Sequence, residues 1–342
     1  DNSGRATQKA AYGLLSRVAL YAEKWDVAAQ AARDCATAEG NLDLSKNGYA
    51  KIFELGINSP EVLFAVEFKS SVIDHAYDAY VRPSGDTKEL GKQVYSGFVP
   101  TSELVDSYEM AGDGGNFSWE KHGKDPYANR EPRFYATILY NGADWMGRKI
   151  ESFVGGKDGY KAYENAGAAG TTVTGYYLRK YLIDGDKTWV TSGSGQDWIV
   201  LRYAEVLLNK AEALAMENWN KNSAEALQAL NDVRARVGLP ARATADKETF
   251  LEYVRHERKV ELAGEGFRYW DLRRWRLAEK VIDGQNVHGV KISKQSDGSF
   301  TYEQVDADGG HKRIFYDRYY RFAIPLSERS NNSLCTNNDG WI

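Results

Sequence analysis

The sequence has few of the residues that mark metal-binding or redox proteins. Its 342 residues include 2 cysteines, 5 histidines and 7 prolines. Cys35 and Cys335 lie in no CxxC motif and no Cys/His cluster, so we expect two unpaired thiols. The histidines show no metal-ligand spacing such as HExxH, and no glycine-rich stretch has the lysine and helix context of a phosphate-binding loop. We therefore expect no cofactor and no metal.

Neither charge nor hydrophobicity points to nucleic acid or to a membrane span. The 44 basic and 48 acidic residues leave a net charge of -4, without the basic excess of a nucleic-acid-binding protein. No apolar run approaches the roughly 20 residues of a membrane-spanning helix. Residues 1–5 read DNSGR, which is not the start of a secretion signal. We expect a trimmed start, with any export signal upstream.

Aromatic residues and glycines are what the sequence has in abundance. There are 22 tyrosines, 12 phenylalanines and 9 tryptophans beside 32 glycines. Glycine favours tight turns, and tyrosine and tryptophan combine an apolar ring with a polar group. The combination predicts long loops that display rings, as on a binding surface.

The first segment has the periodicity of two antiparallel helices. Apolar residues at spacings of three and four cover 10–22 and again 27–35, with a break at 24–26 and a stop at Gly40. Alanines dominate both stripes, so the helices can approach closely. We predict a tetratricopeptide-like hairpin over residues 1–40.

A second hairpin is predicted downstream. Residues 201–215 form one apolar face, 218–222 form the turn, and Ser223 caps the returning helix, which ends at Gly238. A further helix is expected over about 249–262. These helices form the scaffold of the predicted fold.

The region between the hairpins is predicted to be loop-rich. Only residues 62–68 and 172–182 have strand character, and 102–110 is a short helix candidate. Long loops in a compact domain are often functional. We therefore interpret residues 41–200 as the ligand face, and residues 201–342 as the second hairpin with a closing segment.

Residues 257–275 form a densely charged string. On the helix before its glycines, the apolar stripe of Leu251 and Val254 continues through Arg258 and Glu261. An unpaired buried charge is costly, so these charges need partners. We expect the partners just beyond the glycines, at Arg268, Asp271 and Arg273.

Glu257 and Glu261 have two interpretations. Four residues apart on a helix, they resemble the acid/base pair of a glycosidase. Such a pair needs a cleft and two separated pKa values, whereas nearby arginines would hold both groups ionised. We favour an ion-pair network without catalysis.

The same string, ERKVELAGEGFRYWDLRRW, resembles the ER-x-x-EL-x-x-EG-x-R-x-x-DLRRW signature of the SusD/RagB family. Further resemblances follow in the order of the family: residues 5–21 to its first hairpin, 201–236 to its second, and 322–341, from FAIP to NDGW, to its closing segment. Ser333 and Asp339 stand where the family usually has prolines.

The resemblance implies one mainly α-helical domain over residues 1–342, with tetratricopeptide-like hairpins, long irregular loops and a few short strands. It implies a non-catalytic receptor at the cell surface that binds a glycan and delivers it to a TonB-dependent SusC-like transporter. Family members are longer and carry a lipid anchor in the outer membrane, so an N-terminal portion with that anchor is expected outside this chain. A peptide ligand, a glycoside hydrolase and a pure interaction scaffold remain alternatives.

Ligand contacts in such receptors are expected from variable loops. Rings that could stack on sugars are Tyr77, Tyr80, Tyr95, Trp119, Trp145 and Tyr163. Side chains that could hydrogen-bond hydroxyl groups are Arg82, Asn116 and Asp144. The alternative for each ring is that it fills space between the loops and the helices.

Overall fold

The computed structural model describes residues 4–37, 48–165 and 171–341. It is mostly helical, with 43% helix and 12% strand, which confirms the predicted fold class. The α-helices of the described residues are α1 (Gln8–Tyr21), α2 (Trp25–Thr37), α3 (Gly48–Leu55), α4 (Tyr77–Val81), α5 (Asp86–Leu90), α6 (Ser102–Val105), α7 (Trp119–His122), α8 (Pro132–Thr137), α9 (Trp189–Ser192), α10 (Tyr203–Ala235), α11 (Lys247–Glu261), α12 (Phe267–Arg274), α13 (Ala278–Ile282) and α14 (Leu326–Asn331).

Short strands pair antiparallel, β1 with β6, β2 with β5, β3 with β4 and β7 with β8. They are β1 (Val62–Val66), β2 (Ile138–Leu139), β3 (Asp144–Trp145), β4 (Arg148–Lys149), β5 (Tyr177–Leu178), β6 (Trp198–Arg202), β7 (His288–Lys294) and β8 (Phe300–Asp306). Among the described residues, no helix has both the length and the apolar character needed to cross a bilayer.

Helices α1 and α2 form the predicted N-terminal hairpin. The Thr7 side chain caps α1 by accepting a hydrogen bond from the amide of Ala10 at 3.2 Å. The chain reverses at residues 22–24, slightly before the predicted break, and Glu23 has a positive φ of 56°. The predicted stop at Gly40 lies outside the described residues. Cys35 is a buried free thiol on α2, and Cys335 is free as well.

Helix α10 contains two arms that meet at Asn218, where φ is -164° and ψ is 94°. The Asn218 side chain accepts a hydrogen bond from the amide of Lys221 at 3.2 Å, so it caps the second arm. The predicted cap, Ser223, instead lies inside the helix. The turn is shorter than predicted because asparagine combines an extended backbone with a capping oxygen in one residue.

The main core lies where α10 packs on α2 and α11. Both arms of α10 contribute small and branched side chains, so the helices approach closely. Its buried members include Ala28, Ala29, Ala211, Leu214, Ala226, Leu230, Phe250 and Val254.

The loop region joins this scaffold through β1 and β6. Residues 201 and 202 were predicted to be helical, but they belong to β6, and α10 begins at Tyr203. Val66 pairs with Trp198 and Val62 with Arg202, which places the chain after β1 beside the start of β6. An apolar run of this length fits a strand as well as a helix, and the strand partner is remote in sequence.

Other predicted elements are shorter in the structure. Of the strand predicted over 172–182 only Tyr177–Leu178 forms, and of the helix predicted over 102–110 only Ser102–Val105. The β7–β8 hairpin was not predicted. Its inward side chains, Val290 and Ile292, pack on the rings of the loop region.

Candidate functional site

Glu257 and Glu261 lie inside the protein, 1% and 0% exposed. Glu261 accepts hydrogen bonds from Arg133 at 2.9 Å, from Arg202 at 2.7 Å and from Arg236. Burial alone would raise the pKa of Glu261, but these three guanidinium groups hold it well below its usual range. The structure confirms the ion-pair interpretation.

The partners of these glutamates differ from the predicted ones. Glu257 pairs with Arg133 and, at 3.1 Å, with Arg234. Asp271 pairs as expected, with Arg258 at 2.8 Å. The prediction was wrong for Arg268 and Arg273, which contact neither glutamate. Arg273 donates to the carbonyl oxygen of Tyr269 and lies over that ring. The guanidinium groups that serve the network come from distant parts of the chain.

Three exposed and three half-buried rings come together next to α4 and form the aromatic platform, which we define as Phe68, Tyr77, Tyr80, Tyr95, Phe98 and Trp198. Tyr80 and Tyr95 stack with their ring centroids 5.1 Å apart and an interplanar angle of 26°. Phe98 meets Tyr80 edge-on at 6.3 Å. Tyr80, Tyr95 and Phe98 are 45%, 48% and 63% exposed, so each presents ring surface to solvent.

Backbone hydrogen bonds fix the exposed rings of the platform. The amide of Tyr95 donates to the carbonyl oxygen of Ala79 at 2.6 Å, and the amide of Gly97 donates to that of Tyr80 at 2.7 Å. The Ser96 hydroxyl donates to the carbonyl oxygen of Arg82 at 2.9 Å. The segment 95–98 is thereby tied to α4, and the ring stack is part of the folded structure.

A cavity of about 350 Å³ opens beside this stack. Phe68, Tyr77 and Trp198 line it together with Tyr80, Phe98 and His75. The Tyr77 hydroxyl points inward and donates to the carbonyl oxygen of Lys180 at 2.8 Å, so the ring forms part of the cavity wall. Within the described part of the chain, no hydrogen bond is formed by the hydroxyls of Tyr80 and Tyr95. A mostly apolar wall next to the stacked Tyr80 and Tyr95, whose hydroxyls are free, suits a ligand that has both apolar faces and polar groups.

Arg82, predicted to bind ligand, is completely buried behind the platform. It donates to Asp78 at 2.7 Å and to Asp86 at 3.3 Å, and it lies 5.2 Å from the ring centroids of both Trp145 and Trp189. The positive charge of Arg82 is therefore compensated by Asp78 and Asp86 inside the protein. The structure corrects the prediction: Arg82 holds α4 in place and has no surface for a ligand to contact.

Trp145 also lies inside, at 0% exposure. The tight β3–β4 hairpin directs its ring inward, where its indole nitrogen donates to Asp86 at 3.0 Å. Since no face of the ring reaches solvent, the prediction of a stacking contact is corrected here as well. Trp145 and Arg82 together form the support beneath the platform.

The other predicted residues lie outside the platform. Trp119 is partly buried, packs against Phe117 at 5.4 Å between ring centroids, and donates its indole N–H to Asp106 at 2.9 Å. Tyr163 is 50% exposed, with its ring near that of His311, and the exposed Asn116 and Asp144 do not line the cavity. Of the nine predicted residues, Tyr77, Tyr80 and Tyr95 are thus brought together, and their role in binding stays a prediction.

Phe68, Phe98 and Trp198 were missed. The density of rings between residues 68 and 98 was a usable signal for the two phenylalanines. No signal marked Trp198, which joins the platform only through the pairing of β6 with β1. The described residues also contain no group of three or more His, Cys, Asp or Glu side chains placed to hold a metal ion.

Comparison with known proteins places the chain in a family. The sequence profile of the SusD family matches residues 60–341, so the chain belongs to the SusD family. A SusD-like protein of Bacteroides ovatus is 24% identical over 90% of this chain and 54% of its own length. SusD-like protein P38 of Formosa agariphila is 32% identical over 36% of this chain and 25% of its own length. The chain spans about half or less of the length of these relatives.

Solved structures agree with this assignment. A SusD-like protein and a SusD-like carbohydrate binding protein, both from Bacteroides fragilis, are each 26% identical and superpose with a TM-score of 0.77. They match 99% and 97% of this chain, which covers 66% and 65% of theirs. The fold of the described residues is therefore the SusD fold.

Proposed function

We propose that this chain is the capturing part of a cell-surface receptor that binds a glycan on the aromatic platform. The observation on which the proposal rests is the stack of Tyr80 on Tyr95, with both rings about half exposed on a hydrogen-bonded backbone. Sugar rings have apolar C–H faces that pack on aromatic rings. The free hydroxyls of Tyr80 and Tyr95 supply hydrogen bonds at the rim.

The geometry favours reversible capture. Because the rings are already fixed, little side-chain freedom is lost when a ligand binds. An open platform, however, buries a smaller part of the ligand than a closed pocket does, which keeps the affinity modest. A receptor that passes its ligand on needs both properties.

Membership in the SusD family supports carbohydrate as the ligand class, as does the description of one structural relative as carbohydrate binding. It also supports a receptor without catalytic activity. The two glutamates that resembled a glycosidase pair are occupied by arginines inside the core. Release of reducing sugar by the purified protein, and its loss in a Glu261→Gln protein that circular dichroism shows to be folded, would revive the hydrolase alternative.

We also propose that the receptor is lipid-anchored at the outer membrane through a segment outside this chain, and that it delivers the glycan to a TonB-dependent SusC-like transporter. Proteins of the SusD family are associated with the outer membrane at the cell surface. Co-expression with a SusC-like transporter from the same organism tests the partnership. Co-purification of the two is expected, and free migration of both proteins would contradict it.

A glycan array followed by titration calorimetry tests ligand capture. We expect binding to one class of oligosaccharide, weakened roughly five- to tenfold in Tyr80→Ala and in Tyr95→Ala, since a lost ring stack is worth about 1 kcal/mol. Tyr163→Ala is the matched control, because Tyr163 is equally exposed but lies outside the platform. It should bind like the unmodified protein.

Two outcomes would contradict this assignment. Equal loss of binding in Tyr163→Ala and Tyr80→Ala would show that the platform is not the site. Binding to extended peptides on a parallel peptide array, with no glycan bound, would replace the ligand class and support the peptide alternative.

A further inference from the structure

A second cavity, of about 420 Å³, lies between α11, α12 and the segment 281–287. It shares no lining residue with the aromatic platform. Its volume is in the range of small-molecule sites. Its apolar wall is formed by Leu104, Leu262, Phe267, Leu272, Ile282 and Val287.

The charged residues that line this cavity are mostly cationic. Arg258, Lys259, Arg268 and Arg313 contribute four positive charges against the single carboxylate of Glu103. Glu103 is already occupied, because it accepts hydrogen bonds from the backbone amide of His288 at 3.1 Å and from its ring at 2.5 Å. Arg258 is paired with Asp271 outside the lining, so Lys259, Arg268 and Arg313 remain as an excess of positive charge that no carboxylate among the described lining residues neutralises.

Arg268 is the cation most available to a ligand. It is partly buried, and in the part of the chain that the structure describes its guanidinium forms no hydrogen bond and no ion pair. Burial lowers the pKa of Arg268, and burial together with Arg268 lowers the pKa of Lys259 to about 8. The shift at Arg268 reflects burial, whereas the shift at Lys259 reflects burial together with the neighbouring positive charge of Arg268.

Arg258 contributes a buried donor, unpaired within the described ranges, behind the wall of the same cavity. It is 2% exposed, with Nε bound to Asp271 at 2.8 Å and Nη1 bound to Asn209 at 2.8 Å. Its Nη2 is buried and has no hydrogen-bond partner among the described residues. Unpaired buried donors are rare in folded proteins, and this one lies behind the cavity wall, where its partial positive charge favours an anion in the cavity.

We propose that this cavity binds a small ligand that joins a carboxylate to a compact apolar body, with Arg268 as its principal partner. The planar guanidinium matches a carboxylate with two parallel hydrogen bonds, and the apolar wall accommodates the rest of the ligand. The site is independent of glycan capture on the platform, and a ligand bound there need not compete with the glycan.

Titration of the full chain with benzoate and with benzamide tests the proposal. The two probes have the same shape, but only benzoate carries the charge. We expect benzoate to bind at least tenfold more tightly, with the preference lost in Arg268→Gln, since a charged bidentate pair is worth a factor of ten or more. Lys280→Gln removes an exposed charge from the neighbouring α13 and should retain the preference.

Equal binding of benzoate and benzamide, or an Arg268→Gln protein that binds benzoate normally, would overturn the proposal. Circular dichroism checks that Arg268→Gln is folded. If it is not, Arg313→Gln replaces it, because Arg313 is an exposed residue at the cavity and its loss leaves the core untouched. We then expect benzoate binding to weaken about threefold, and no change would overturn the proposal.

Discussion

Replacing Glu261 with glutamine is expected to destabilise the protein strongly. The carboxylate is completely buried and accepts hydrogen bonds from Arg133, Arg202 and Arg236. A glutamine has one acceptor oxygen, and its NH₂ group would face a guanidinium donor. Breaking a buried ion pair on one side costs about 3–5 kcal/mol because the remaining charges stay buried. We therefore expect Glu261→Gln to lower the free energy of unfolding by about 4 kcal/mol.

Urea unfolding at pH 7, followed by circular dichroism, measures this change. Glu252→Gln is the matched control on the same helix, because its side chain is 69% exposed and its pair with Arg255 should contribute at most about 1 kcal/mol. A loss of unfolding free energy in Glu261→Gln no larger than that of the control would refute the ion-pair interpretation.

The pH dependence gives a second check on the same variant. Glu261 has a depressed pKa in the folded protein, so its contribution is fully present above the ordinary glutamate pKa of about 4.3 and is lost as the pH falls towards the folded value. The stability difference between the unmodified protein and Glu261→Gln should therefore shrink below about pH 4. A difference that stays constant down to pH 3 would contradict the assigned charge state.

Three further predictions concern the scaffold, each measured by urea unfolding. Gly175→Ala places a Cβ 2.3 Å from a backbone carbonyl oxygen at a φ of +78°, and it should cost about 3 kcal/mol of stability. Gly185→Ala is the control, because its φ is +83° but its Cβ would lie in open space, and it should cost about 1 kcal/mol. Equal costs would contradict the close approach at Gly175. Burial raises the pKa of Asp106 to about 6. The contribution of Asp106 to the free energy of unfolding is therefore fully present below about pH 4 and lost by about pH 7. Asp106→Asn should accordingly stabilise the protein by about 1 kcal/mol at pH 7 and not at pH 4, and a gain at both would refute the shift. Asn218→Ala should cost about 1 kcal/mol as a lost helix cap, and Ser223→Ala less than about 0.5 kcal/mol; the reverse order would restore the predicted cap.

The helical scaffold was largely predictable because its signals are local. Spacings of three and four identified α1, α2 and α11, and each helix end depends on a few neighbouring residues. Residues 201 and 202 of β6 were assigned to a helix because their strand partner, β1, lies more than 130 residues away. Pairing between distant segments leaves little trace in a short apolar run.

The same limit applies to the charged network. The motif indicated that Glu261 needs cations, and the nearest beyond the glycines were Arg268 and Arg273. The structure supplies Arg133 and Arg202 instead, from helix α8 and strand β6, 128 and 59 residues away. The sequence indicated that the negative charge of Glu261 must be compensated, but only the fold determines which arginines compensate it.

The candidate site was predictable in part. Tyr77 and Tyr80 lie three residues apart on α4, and Tyr95 follows on a loop tied to that helix. Trp145 and Arg82 were also reasonable candidates by residue type. Their burial follows from hydrogen bonds to Asp86 that no spacing rule indicates.

Hydroxyl-radical footprinting, with and without the best oligosaccharide from the array, tests most directly where recognition occurs. Oxidation of each ring reports its exposure to solvent. We predict protection of Tyr80, Tyr95 and Phe98 on binding, with Tyr163 unchanged. Protection confined to Tyr163 or Trp119, with the platform rings oxidised as before, would contradict the account.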